Sequence, residues 1–143
     1  MGKKITLSVC LAGVFFLTGT VCFAGERAVI AETEGKLSEI STLTELAETG
    51  DAKAQYALGI RYQNGDGVEQ DSAKAVSLFR DAAKGDNAKA QFLLGLFYTE
   101  GIEGLPQDFH QAAELYKKAA TQHFAPAKEA LQKLYKVHPE LRS

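Results

Sequence analysis

Ala52-Lys53-Ala54-Gln55-Tyr56-Ala57-Leu58-Gly59-Ile60-Arg61-Tyr62 returns 36 residues later as Ala88-Lys89-Ala90-Gln91-Phe92-Leu93-Leu94-Gly95-Leu96-Phe97-Tyr98, with seven of eleven positions identical. Self-similarity at a fixed period of this size is the signature of stacked structural repeats. The likeness continues downstream. Gly67-Val68-Glu69-Gln70-Asp71, followed by Ala75, Leu78, Phe79, Ala82 and Ala83, matches Gly104-Leu105-Pro106-Gln107-Asp108, followed by Ala112, Leu115, Tyr116, Ala119 and Ala120. The second offset is 37, and the extra residue falls where Gly65-Asp66-Gly67 becomes Gly101-Ile102-Glu103-Gly104. A surface loop accommodates such an insertion at little cost. Outward from the two whole units lie two halves. Ala125 to Tyr135 reads as a first helix without its second and stops at Pro139, while Leu37 to Glu48 reads as a second helix without its first.

The apolar period inside each unit is helical: Ala54, Leu58 and Tyr62 recur at i, i+4 and i+8, as do Ala75, Phe79 and Ala83. Asp71 and Asp108 stand at N-cap positions, and Gln111 completes the spacing of a capping box with Asp108. Gly85 is placed to end the preceding helix in a left-handed turn. Six helices follow, near 37–48, 52–64, 72–84, 88–100, 108–121 and 125–137, and the fold class is all-α. In the first of them Leu43, Leu46 and Ala47 share a face. Gly59 and Gly95 fall mid-helix, where glycine costs about 1 kcal/mol relative to alanine, so a close helix contact must offset them. Alanines 75, 82, 83, 112, 119 and 120 are the expected facing surface, with Leu78, Phe79, Leu115 and Tyr116 filling the groove between pairs.

The 143 residues, 45% hydrophobic and 24% charged, suit one compact domain and exclude a disordered or collagen-like chain. Lys3 and Lys4 precede an almost unbroken apolar stretch from Ile5 to Phe16, and small side chains at Cys22 and Ala24 suit a signal peptidase. Residues 1–24 are therefore an expected export signal, with cleavage before Gly25. Retention as an anchor is the alternative, because Ile5 to Ala24 has about the 20 residues that span a bilayer. Val21 before Cys22 argues against lipidation. Removal of the segment takes away both cysteines and leaves 14 positive against 18 negative charges, a balance of −4. Thiolate metal sites and thiol chemistry are then excluded, and a chain of that charge has no general attraction for nucleic acid. Stable membrane insertion is not expected after cleavage. Residues 25–36 are too short and polar to own a core and read as a mobile leader ahead of a domain spanning 37–143.

Leu-Gly followed by Tyr62 or Tyr98, a Gly-rich loop, an Asp and a helix ending Ala-Ala together resemble the Sel-one-like repeat (SLR) family, relatives of the tetratricopeptide repeats. The resemblance covers about 45–137, with full repeats at about 52–87 and 88–124 and half-repeat caps at about 37–51 and 125–138. It implies a short right-handed superhelical solenoid of antiparallel helix pairs that binds a protein or peptide rather than catalysing a reaction. Bacterial members are often exported, serving as envelope scaffolds, in host-cell interaction or as immunity partners of secreted toxins. Some secreted relatives staple each pair with a disulfide, which a cysteine-free mature chain lacks. Gln122 replaces the Gly85 type and Gln132 the Gly59/Gly95 type, so the third unit reads as a terminal cap, of the kind stacked repeats require.

The spacing of tetratricopeptide units implies that the first helix of each pair lines a concave face. That face comprises Lys53, Tyr56, Ile60, Gln63 and Asn64, then Lys89, Phe92, Leu96, Thr99 and Glu100, then Glu129, Lys133 and Lys136. Such a stripe suits a segment with apolar anchors and some acidic residues. The competing reading places Tyr56, Ile60, Phe92 and Leu96 in the core. Three helices about 8–10 Å apart offer a face on the order of 500 Å², below the roughly 800 Å² per partner of a standard interface.

Signatures of chemistry are sparse. No serine begins Ser-x-x-Lys or sits in Gly-x-Ser-x-Gly, and Ser72 and Ser77 read as helix-start and surface residues. His110, His123 and His138 lack zinc-helix spacing. Gly65-Asp66-Gly67 is followed by no phosphate-binding lysine, and Asp66, Glu100 and Glu103 lack the alternating ligands of a calcium loop. No cofactor or metal site is predicted. The expected role is a protein-binding adaptor or scaffold in the bacterial cell envelope, periplasmic or secreted. Inhibition of a secreted toxin is the alternative, and an envelope hydrolase a more remote one.

Overall fold

A computed structural model describes residues 24–142, with side chains from residue 35 onward; the expected export segment lies almost wholly outside the described residues. Six α-helices follow in order: α1 (Ala24–Glu48), α2 (Ala52–Asn64), α3 (Ser72–Lys84), α4 (Ala88–Glu100), α5 (Phe109–Thr121) and α6 (Ala125–Val137), closed by a 3-10 turn at Pro139–Arg142. Each packs on its predecessor, α2 with α3 and α4 with α5 most extensively. No strand occurs among the described residues, and none of their helices is long and apolar enough to cross a membrane. Five of the six helix ranges fall within a residue of those expected. The exception is α1, which begins at Ala24 rather than near 37, so the polar segment read as a mobile leader is helical. Its inward face also differs: Ile40, Leu43 and Ala47 turn to α2, while Leu46 is 45% exposed.

The repeated Gln-Asp pair explains itself in the geometry. In the first unit Gln70 Nε2 donates to Gln63 O at 2.8 Å, the Asp71 backbone N–H donates to Tyr62 O at 2.9 Å, and Asp71 Oδ1 accepts from Lys74 N at 2.9 Å. In the second, Gln107 Nε2 donates to Thr99 O at 2.9 Å, Asp108 N donates to Tyr98 O at 2.8 Å, and Asp108 Oδ1 accepts from His110 N and Gln111 N. Two residues thus satisfy open carbonyls of one helix and open amides of the next, closing a tight αα-turn. Because the Asp108 amide is engaged by Tyr98, the reciprocal half of the expected capping box does not form. The chain enters each loop through Gly65 and Gly101 at φ 69° and 68°, the left-handed conformation glycine adopts without strain.

The mid-helix glycines admit rings rather than the flat alanine surface expected of them. A Cβ on Gly59 would stand 2.6 Å from Phe79 Cε1, and one on Gly95 would stand 2.5 Å from Tyr116 Cε1. Both rings are buried. Gly85 has a similar use and is not the left-handed residue: its φ is −80°, a Cβ there would approach Ala52 Cβ to 2.7 Å, and the positive φ falls at Asp86 (58°) and, in the next unit, at His123 (62°).

Successive units are joined by a second recurring side chain. Gln55 Nε2 donates to Ala47 O at 3.1 Å, and Gln91 Nε2 to Ala83 O at 3.0 Å. Gln91 is wholly buried, and its Oε1 accepts from Gln122 Nε2 at 2.9 Å. Gln122 therefore does more than fill the place of a glycine; it ties the end of α5 back to α4. In α6 the corresponding position is Lys128, exposed, and Gln132 is exposed where Gly59 and Gly95 are buried. Among the described residues no second helix covers α6 and no ring demands a glycine there, and buried Leu141 packs in the α5–α6 cluster.

Candidate functional site

Of the hollows along the first helices of the pairs, two include residues of the expected stripe. The larger, of about 1110 Å³, runs between the N-terminal halves of α2 and α4, with Lys53, Tyr56, Ile60 and Lys89 among its walls. Asp51, Arg61, Asp66, Asp86, Gln122 and Phe124 complete its polar rim and far end. Helix starts are held there by caps: Asp51 Oδ1 accepts from Lys53 N and Ala54 N, Asn87 Oδ1 accepts from Lys89 N and Ala90 N, and Asn87 Nδ2 donates to Ala52 O at 3.0 Å. The last bond spans 35 residues and fixes the two helix starts relative to each other. The smaller hollow, of about 370 Å³, is an apolar cleft where Leu96 and Thr99 of α4 face α6, with Lys133 on its wall. Leu96 lies two turns beyond Lys89, so both hollows lie along one face of α4.

The expected stripe is therefore divided. Seven of its residues line a hollow: Lys53, Tyr56, Ile60 and Lys89 the larger, Leu96, Thr99 and Lys133 the smaller. Phe92 is half-buried between two rings, 5.8 Å from Tyr116 and 5.5 Å from Phe124. Tyr56 repeats its role one unit earlier, 5.8 Å from Phe79, but its other edge faces the groove. The choice between core and surface thus has no single answer for these aromatic residues. Gln63 is half-buried, and Asn64, Glu100, Glu129 and Lys136 are exposed outside both hollows. Truncating Phe92 to alanine removes two ring contacts, with an expected cost of about 2–3 kcal/mol. Chemical denaturation of the variant against the parent measures it.

Sequence reasoning missed Arg61, which occupies the position of Phe97 in the next unit. Its guanidinium pairs with Asp66 and, through Nη2, with Glu39 Oε1 at 2.7 Å, while Lys36 Nζ reaches Asp66 Oδ1 at 3.0 Å. A basic residue in the last turn of α2 beside an acidic loop was the available signal. This network binds α1 to the first αα-turn, and it accounts for Asp66. The hydrogen bond from Lys36, with the charges of Lys36 and Arg61, outweighs partial desolvation and holds the Asp66 carboxyl below the usual aspartate range. The sign of the linkage follows: this contribution is fully present above the ordinary aspartate pKa and is lost as pH falls through the lower folded value. Stability is expected to drop on acidification in that window, and Asp66→Asn to flatten that part of the profile. Urea midpoints from about pH 2 to pH 6 on both proteins provide the check.

Tyr116 connects the core to the apolar cleft. Burial raises its pKa, with Thr99 opposing and the charge of Glu100 adding, and its hydroxyl lies 3.1 Å from Thr99 Oγ1, which itself donates to Gly95 O at 2.6 Å. No buried side-chain nitrogen or oxygen among the described residues lacks a partner, and no group of three His, Cys, Asp or Glu side chains among them is placed to hold a metal. The larger hollow thus has Tyr56 and Ile60 in its wall under a rim of mixed charge, and the smaller is walled by rings and aliphatic chains with Lys133 among them.

The Sel1 repeat family model matches residues 52–87 and 88–124, the two units found by internal comparison. Among solved structures, the chain is similar to a Sel1 repeat protein from Oxalobacter formigenes at 35% identity and a TM-score of 0.67, over 70% of this chain and 74% of that one. It is also similar to a protective antigen present in uropathogenic Escherichia coli strains that displays an SLR fold, at 42% identity and a TM-score of 0.63. That match covers 67% of this chain and 20% of the antigen, so the chain spans about a fifth of the antigen's length. No curated protein matches significantly.

Proposed function

The chain belongs to the Sel1 repeat family, whose members are generally protein–protein interaction modules, and from that premise we propose that it is an exported, non-catalytic adaptor. It binds a protein or peptide along the face formed by α2, α4 and α6. The observation that carries the proposal is the larger groove: a preformed wall of Tyr56 and Ile60 flanked by Lys53 and Lys89, with the helix starts locked together by Asn87. A surface fixed in advance loses little conformational entropy on binding. Export rests on Lys3, Lys4 and the apolar stretch after them, and it places the adaptor in the bacterial envelope or outside the cell. An adaptor that inhibits one toxin would use the same face with higher affinity.

Reversing both groove lysines tests the proposal without disturbing the core, since Lys53 and Lys89 are exposed. The Lys53→Glu/Lys89→Glu variant is expected to keep its helicity and melting temperature and to lose partner capture from whole cells by at least about tenfold, a change of about 1.4 kcal/mol. Equal capture by parent and variant would remove the groove from the binding surface. A hydrolytic activity copurifying with the parent and abolished by one point substitution would replace the adaptor reading with an enzymatic one.

A further inference from the structure

The proposed adaptor face ends at α6 in a change of chemistry. Residues 25–108 carry eight basic and fifteen acidic side chains, net −7, whereas 109–143 carry six basic and three acidic, net +3. Of those three carboxylates, Glu114 is held by Lys117 at 2.8 Å and Glu140 by His138 Nδ1 at 3.0 Å. Lys133 and Lys136, one turn apart on α6, make no ion pair within the described residues, and both are exposed. The cleft beside them is the apolar hollow, with Leu96, Tyr116, Ala130 and Leu134 inside and Val137 at its lip. Val137 is 72% exposed, the most exposed large hydrophobic residue described. The larger groove differs in character: its rim mixes Lys53, Arg61 and Lys89 with Asp51, Asp66 and Asp86, and Arg61 and Asp66 neutralise each other.

Resting on the adaptor reading, we infer that the cleft between α4 and α6 is the anchor subsite, taking one bulky apolar side chain from an acidic segment of the partner. The volume, about 370 Å³, is ample for a bulky side chain, and the lining includes Tyr116 and Leu134, both buried. The lining is almost wholly apolar: the Thr99 hydroxyl is occupied by Gly95 O and Tyr116, and His138, stacked on Phe109, has its Nδ1 paired with Glu140, so a polar guest gains little there. Sign selectivity comes from Lys133 and Lys136. Lys133 stands on the cleft wall and Lys136 follows one turn along α6, outside it; neither is ion-paired among the described residues, so a carboxylate flanking the anchor gains charge-assisted hydrogen bonds as the anchor excludes water. Glu129, one turn before Lys133, and Glu100, at the end of α4, are the carboxylates on the opposing side of the balance. Glu100 biases the acidic groups of the guest toward the α6 side of the cleft, and Glu129, itself on α6, biases them toward the C-terminal half of that helix, where Lys133 and Lys136 stand. The larger groove then carries the rest of the segment, which makes up the area that one cleft lacks for stable association.

Three fluorescein-labelled peptides test this on the purified full-length chain by anisotropy: one with a central leucine–phenylalanine pair flanked by aspartates and glutamates, one with the same pair flanked by lysines, and one acidic with two alanines at the centre. The acidic apolar peptide is expected to bind at least about tenfold tighter than either of the others. Val137→Asp and Lys133→Glu/Lys136→Glu, all at exposed positions, are expected to lower its affinity by about tenfold or more with unchanged circular dichroism and melting. Equal binding of the lysine-flanked peptide, no saturable binding of the acidic one, or indifference to both variants would overturn the inference. Its failure is distinguishable from that of the adaptor reading. If Lys53→Glu/Lys89→Glu abolishes partner capture while the α6 variants do not, the adaptor stands and the anchor lies elsewhere; if neither set affects capture, the adaptor reading falls as well.

Discussion

Replacing Gly95 with leucine is expected to destabilise the domain by about 3 kcal/mol and to lower its melting temperature by about 10 °C. The steric cause is local. The first carbon of any side chain there would stand 2.5 Å from Tyr116 Cε1 and 2.7 Å from Cδ1, and the ring is held in place, being 2% exposed, packed on Phe92 and bonded through its hydroxyl to Thr99, so it yields only by giving up these contacts. Propensity acts the other way, because leucine is a better helix former than glycine by nearly 1 kcal/mol, so overpacking must exceed that gain to show at all. Alanine is the sharper variant: it brings the same propensity gain with only the offending Cβ, and it is also expected to destabilise. Gly35 is the control. It lies inside α1 with nothing within 4 Å of a built Cβ, so Gly35→Ala is expected to stabilise by up to about 1 kcal/mol. Thermal and urea unfolding of the three variants reads both signs, and equal behaviour of Gly95→Ala and Gly35→Ala would show that the ring contact does not govern the choice of glycine.

Phe79→Ala has the largest expected effect of any single truncation, about 3–5 kcal/mol. The ring is fully buried, covers Gly59, and lies 5.8 Å from Tyr56 and 6.1 Å from Phe97. Its loss leaves a cavity between α2, α3 and α4, and the effect reaches function because Tyr56 is a wall of the larger groove. Coupling provides the specific test. Gly59→Ala alone forces a Cβ to 2.6 Å from the Phe79 ring; in a Phe79→Ala background that clash is gone, and the same alanine is expected to be neutral or stabilising. A double-mutant cycle should therefore show an interaction of about 1–2 kcal/mol. Simple additivity would contradict the packing described.

These two sites also show which parts of the structure could be read in the sequence. The repeat, the helix ranges from α2 to α6 and the Asp71 and Asp108 caps follow from local spacing, where each residue's role is settled by neighbours three or four positions away. The partner of each mid-helix glycine lies 20 or 21 residues off, on another helix, and spacing alone does not distinguish an alanine surface from a ring. The left-handed residue after α3 was misplaced for a related reason: glycine at 85 meets a steric demand from Ala52, and Asp86 takes the positive φ. The α1 segment before residue 37 has polar composition and no apolar period of its own, so its helicity was not apparent. Of the expected concave stripe, Lys53, Ile60, Lys89 and Lys133 line hollows, but whether an aromatic residue such as Phe92 faces solvent or a neighbouring ring depends on Tyr116 and Phe124, which no period in α4 reveals. Arg61 and its pairs with Asp66 and Glu39 were missed because they break the repeat and join elements that the sequence does not set side by side.

Partners are expected to meet the face formed by α2, α4 and α6. A photo-crosslinking residue introduced singly at Lys53, at Lys133, and at Ser77 and Lys118 on the outer sides of α3 and α5, followed by irradiation of living cells, tests it most directly. All four positions are exposed. The same covalent partner adduct is expected from Lys53 and Lys133 and none from Ser77 or Lys118. Adducts formed only through Ser77 or Lys118 would contradict it and move recognition to the outer helices.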